Sequence, residues 1–160
     1  CMRKLIVCIA VIFASVSCEE DVKFNDPSFQ ALKNDVFWRA IDSRATLFSD
    51  GSLLIEAFTS NEVLSIRTVG IEQTTYLLDG DVIQNVVYSL KENAEATIYR
   101  TDGATATGQV IINKYDEAGK MISGTFKFKV KTENDSDLIQ PILSFREGVF
   151  YNLPVRLQMP

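Results

Sequence analysis

The chain has no histidine. That removes Ser-His-Asp and Cys-His nucleophilic catalysis, and with them the zinc sites that rest on histidine. Cysteine is scarce: Cys1, Cys8 and Cys18 all lie near the start. Everything after residue 18 lacks a thiol, so it has no disulfide, no cysteine nucleophile and no Fe–S ligand. Glycine is sparse and scattered singly through turns and strands, so no phosphate-cradling loop is present. Positive charge is in deficit, with 16 Lys and Arg against 21 Asp and Glu. An acidic surface is repelled by phosphate backbones, which excludes nucleic acid as a partner, and it offers no basic patch for anionic lipid. Long apolar runs are also missing. The longest, Leu5 to Ala14, falls short of the ~20 residues that cross a bilayer.

That run belongs to a start that reads "CMRKLIVCIAVIFASVSCEED". Arg3 and Lys4 precede it, and the small residues Ala14, Ser15, Val16 and Ser17 follow. Basic, apolar, then small is the layout of a secretory signal. A core strand or helix is the plainer reading, but it does not explain these flanks. Met2 reads as the natural start, with Cys1 an extra residue before it. "SVSC" resembles the bacterial lipobox, in which signal peptidase II cuts before a cysteine that carries a diacylglycerol. The pattern prefers Leu where Ser15 stands. Residues 1–17 are therefore expected to be a lipoprotein signal, with Cys18 the lipidated residue and first of the mature chain. Two or more acyl chains give the stable membrane anchoring that one cannot. Residues 18–26 read as an acidic tether, and 27–160 as a single β domain without disulfides, long enough for one core. "CEED" resembles the acidic signal that sends some Bacteroidetes lipoproteins to the cell surface. The expected location is the outer membrane, lipid-anchored and facing outward.

Beyond the tether, apolar runs alternate with turn chemistry. The runs cover 36–41, 52–58, 62–69, 74–78, 85–90, 96–100, 109–115, 121–130, 139–145 and 149–155. Between them lie "SDG", "SN", "DGD", "TDG" and "DEAG", where Gly and Asn accept positive φ and Asp bonds its own backbone. Strands at this spacing predict an all-β domain: an antiparallel sandwich or partly open barrel of about ten short strands, mostly in meander order. The half-apolar character of several runs favours the sandwich. The clearest strand is 121–130, with Ile122, Gly124, Phe126, Phe128 and Val130 on one face and Ser123, Thr125, Lys127 and Lys129 on the other. Gly124, on the apolar face, predicts a bend or close packing. The one helical candidate is "DPSFQALKN" (26–34), with Asp26 as cap and Pro27 at the first position.

"FWRA" (37–40), "GQVIINKYDEAGKMISGTFKFKV" (108–130) and "REGVFYNLPV" (146–155) carry a family resemblance. They are similar to a Bacteroidetes lipoprotein family known as a domain of unknown function, DUF6252. The likeness runs from about Pro27 to Val155, and the 108–130 hairpin is its most specific part. It implies a secreted, lipid-anchored β domain. It brings no activity and no catalytic residues.

Carboxylate pairs are the one catalytic option left. Glu56 with Glu62, across "TSN", and Asp79 with Asp81, beside Gly80, are the candidates, and surface acids explain both equally well. Asn134, Asp135 and Asp137 could offer oxygens to calcium but lack the spacing and distal Glu of an EF-hand, so a solvated loop is the better reading. No cofactor and no metal site is expected. Adjacent rings, Phe37–Trp38 and Phe150–Tyr151, place one ring in and one out in a strand. Trp38 and Tyr151 are the candidates to stack on a glycan or on an envelope protein. The expected function is a non-enzymatic binding or accessory domain. The alternative is a calycin-like barrel carrying a small apolar ligand, and a carboxylate-based hydrolase ranks last.

Overall fold

The structure is a computed structural model that describes residues 28–133 and 140–158. Eleven strands follow one another: β1 (Ser28–Lys33), β2 (Val36–Arg39), β3 (Asp42–Phe48), β4 (Leu53–Phe58), β5 (Glu62–Thr68), β6 (Thr75–Leu78), β7 (Asn85–Glu92), β8 (Glu95–Arg100), β9 (Gly108–Asp116), β10 (Met121–Thr132) and β11 (Ile142–Gln158). The described residues contain no helix. All-β is thus the observed class.

The helical candidate is corrected. Residues 28–33 are strand, with Phe29 and Ala31 buried and their neighbours half-buried. Helix-forming Ala, Leu, Gln and Lys yield here to tertiary pairing, because β1 lies between β11 and β2. Asn34 and Asp35, at φ 48° and 67°, form the two-residue turn into β2. Positive φ at both positions is what a type I′ hairpin needs.

The pairings run β2-β1-β11-β3-β4-β5-β7-β8-β10-β9-β6, and a further β10–β11 pairing closes a ring within them. The architecture is two layers. One is β3-β4-β5-β7-β8; the other is β6-β9-β10-β11-β1-β2. The two longest strands join them at the corners. Lys131 and Thr132, at the end of β10, cross to β8. Val155 to Gln158, at the end of β11, run parallel to β3, with Val155 opposite Ala45. Consecutive strands pair through most of the order, but this parallel contact lies outside any meander.

β11 covers what reads in sequence as two strands. It stays continuous through "REG" and "YN" by bulging twice. Glu147 and Asn152 sit at φ 50° and 49°, where the register against β10 slips. Each bulge leaves one residue unpaired and bends the strand, which lets 17 residues serve both layers. The Asn152 bulge is pinned by its own N–H, which donates to Ser123 Oγ at 2.9 Å.

The alternation expected for 121–130 is present: Ile122, Phe126, Phe128 and Val130 are buried, and Lys127 and Lys129 are exposed. Gly124 permits close packing, since a Cβ there would stand 2.1 Å from the Ile111 carbonyl. Rings fill the space between the layers. Phe29 lies 4.8 Å from Phe126, Phe128 lies 4.9 Å from Phe145, and Tyr88 of the opposite layer lies 5.4 Å from Phe145. These separations fall in the favourable range for aromatic pairs.

Candidate functional site

Two polar places stand out, one inside and one outside. The inner one centres on Glu62, the first residue of β5, on the face that carries Leu64 and Ile66 into the core. A charge here needs donors on both oxygens. Oε1 accepts from Lys33 Nζ of β1 and from the Tyr88 hydroxyl of β7. Oε2 accepts from Trp38 Nε1 of β2 at 2.9 Å and from Thr59 Oγ1 at 2.8 Å. Burial pushes the carboxyl upward, but these four hydrogen bonds outweigh it and hold the group at about 2. Burial and the adjoining carboxylate push Tyr88 well above the usual phenol range. Glu62 is a saturated clamp, charged at neutral pH, that ties the β1–β2 hairpin to the opposite layer. Four donors leave it no freedom to shuttle a proton to a substrate.

Glu56 does not join it. β4 buries Leu53, Ile55 and Ala57, so Glu56 falls on the outer face, opposite Ser65. There it accepts from Arg44 Nε at 2.8 Å. The proposed Glu56–Glu62 pair is therefore split between the two faces of one sheet. Asp79 and Asp81 lie exposed in the β6–β7 connection, where Asp81 Oδ1 accepts from the Val82 N–H at 2.7 Å. A second low carboxylate, Asp102, is held at about 2 by the N–H of Ala106, the Thr105 hydroxyl and the N–H of Ala104. It is fully exposed and closes its own turn. Among the described residues no group of Asp, Glu, Cys or His is arranged to hold a metal. Asn134, Asp135 and Asp137 lie outside the described residues, as does Cys18.

The outer place is a shallow groove of about 440 Å3 on the face formed by β9, β10 and β11, lined in part by Gln109, Ile111, Thr125, Lys127, Glu147 and Val149. Ladder pairing sets it: Thr125 stands opposite both Ile111 and Val149, and Lys127 opposite Gln109. The bulge brings Glu147 to the rim. Tyr151, two residues beyond Val149 on the same face, is 43% exposed. Its partner in sequence, Phe150, is fully buried, so the in–out split expected there holds.

Trp38 is placed differently. It lies opposite Ala31, on the core side of β2, and is 6% exposed. Its ring stands edge-on to Phe29 and Phe145. The exposed ring of that pair is Phe37, at 64%. The clamp's Lys33, Thr59 and Tyr88, and the groove's Gln109, Lys127 and Glu147, were not singled out by the sequence. Strand parity could have flagged Glu62 as inward-facing, since it shares a face with Leu64 and Ile66.

Fold and sites together define an all-β, two-layered domain with a ring of strands closed at both corners, a buried carboxylate held by four donors and an open groove with an apolar floor and polar rim. The chain belongs to the family described as a domain of unknown function (DUF6252), whose model matches residues 25–154. No curated protein and no solved structure matches it.

Proposed function

We propose that the chain is an outer-membrane lipoprotein, anchored through Cys18 and facing the cell surface, whose β domain binds a glycan at the outer groove and catalyses nothing. The observation that carries the binding reading is the division of polar groups. The buried carboxylate is saturated, while the side chains of Gln109, Thr125, Lys127 and Glu147, which have no hydrogen-bond or ion-pair partner among the described residues, gather around an open depression. Side-chain amide, hydroxyl, ammonium and carboxylate groups over an apolar floor of Ile111 and Val149 suit a hydroxyl-rich ligand. Tyr151 adds a ring face for stacking. An envelope protein presenting an extended polar segment is the other partner such a surface accepts. The interior, filled with aromatic rings, favours binding outside over carriage of a small apolar ligand within.

The test is a glycan array probed with the protein, followed by calorimetry on any hit with Tyr151→Ala and Lys127→Ala. Loss of binding in both variants at unchanged melting temperature supports the groove. An empty array, or a hit indifferent to both changes, sinks it. Labelling cells with palmitate tests the anchor separately: incorporation should vanish in Cys18→Ala.

A further inference from the structure

The two outermost strands of the six-stranded layer, β2 and β6, each have one edge that no described strand pairs. Free edges are templates for another strand unless something guards them. β6 is guarded. Every charged residue flanking it, Glu72, Asp79 and Asp81, is negative, so a second copy meets repulsion there. β2 is not guarded in this way. It carries Val36 at 67% and Phe37 at 64% exposure, and it is bracketed by one acid, Asp35, and one base, Arg39.

We propose that two copies of this chain pair antiparallel through the free edges of β2, centred on Phe37. Backbone direction supports this register. The N–H of Ala40 donates inward to the Phe29 carbonyl at 2.9 Å. Alternation along the strand then turns the N–H and C=O of Phe37 and Arg39 outward. With Phe37 opposite its own copy, those groups form a reciprocal hydrogen-bonded pair on a twofold axis. The same register carries the turn residue Asp35 of each copy toward Arg39 of the other, twice over. Val36 of each copy comes to lie beside Trp38 of the other, which covers an apolar side chain now in water. A twofold contact must be self-complementary, and "DVFWR" is: acid, apolar, apolar, apolar, base. Asp35 already accepts from Arg146, but both groups are mostly exposed, and such a pair is held too weakly to compete.

Four residues of edge bury less than a standard interface, so association is expected on the order of 0.1 mM. Sedimentation equilibrium of the protein across that range should show a monomer–dimer transition that weakens with added salt. Arg39→Asp places like charges together and should raise the dissociation constant about tenfold or more. The double change Asp35→Arg with Arg39→Asp restores opposite pairs and should recover dimerisation. Thermal melts confirm that each variant folds, which is expected since both side chains are exposed. A monomer at every concentration overturns the proposal. So does a dimer indifferent to Arg39→Asp, a double variant no better than the single one, or capture of a different extended peptide by an otherwise monomeric chain.

Discussion

Glu56 and Glu62 are six positions apart on one hairpin, yet they live in different solvents. Glu56 faces out, with one partner among the described residues, Arg44, that is itself 44% exposed. Glu62 faces in and takes four donors from four separate parts of the chain. Both are glutamates beside a cation, and only one of them organises the fold. The difference teaches that a carboxylate's worth is set by how many groups are lost with it. An exposed ion pair exchanges one water-like environment for another, whereas a buried one leaves stranded donors behind.

Four perturbations break or sharpen this contrast. Glu62→Ala should have the largest effect, about 3–5 kcal/mol of stability in urea unfolding, because Lys33, Trp38 and Tyr88 lose their common acceptor. Acid titration should come next. A carboxyl held at about 2 when folded and near 4.5 when unfolded contributes stability that is complete above pH 4.5 and is lost as pH falls to about 2. That loss is on the order of 3 kcal/mol. Stability followed over this window should flatten in Glu62→Gln, with Asp102 supplying part of what remains. Trp38→Phe should cost about 2 kcal/mol, one hydrogen bond to a charged group, read from the same unfolding curves. Glu56→Gln should cost less than about 1 kcal/mol, a shift that high salt erases. Equal losses in Glu56 and Glu62 variants would abolish the distinction.

The sheet was legible where side chains alternate and turn residues punctuate. β4, β5, β7, β9 and β10 fall within two residues of the runs marked by their apolar residues. β3 does not show in the apolar pattern because "DSRATLF" buries only Ser43 and Ala45, a signal too weak to separate from a loop. β1 reads as a helix in sequence because propensity and a good cap are local, while its partner β11 is remote in the chain. "REG" reads as a break because a bulge uses the same positive-φ geometry as a turn, while the second bulge, at Asn152, hides inside the run 149–155. The same limit governs the sites. Parity divides Glu56 from Glu62, but it groups Tyr151 with buried Phe145, Leu153 and Val155, and only the bulges at Glu147 and Asn152 turn Tyr151 outward. Likewise, only register brings Lys33, Trp38, Thr59 and Tyr88 to one carboxylate. Nor could parity alone say which of Phe37 and Trp38 faces the core. That depends on which side of β1 the other layer lies.

The parallel contact of Val155 with Ala45 has a consequence in time. A ring sealed between the third strand and the eleventh has a high contact order, and folding through such distant pairings takes milliseconds to seconds. Earlier hairpins can form and dissolve, and β10 can reach β8, but the ring cannot close until β11 reaches β3. For the exported lipoprotein proposed above, that delay is useful: the chain remains threadable through a translocation channel for as long as its final segment is still inside the cell.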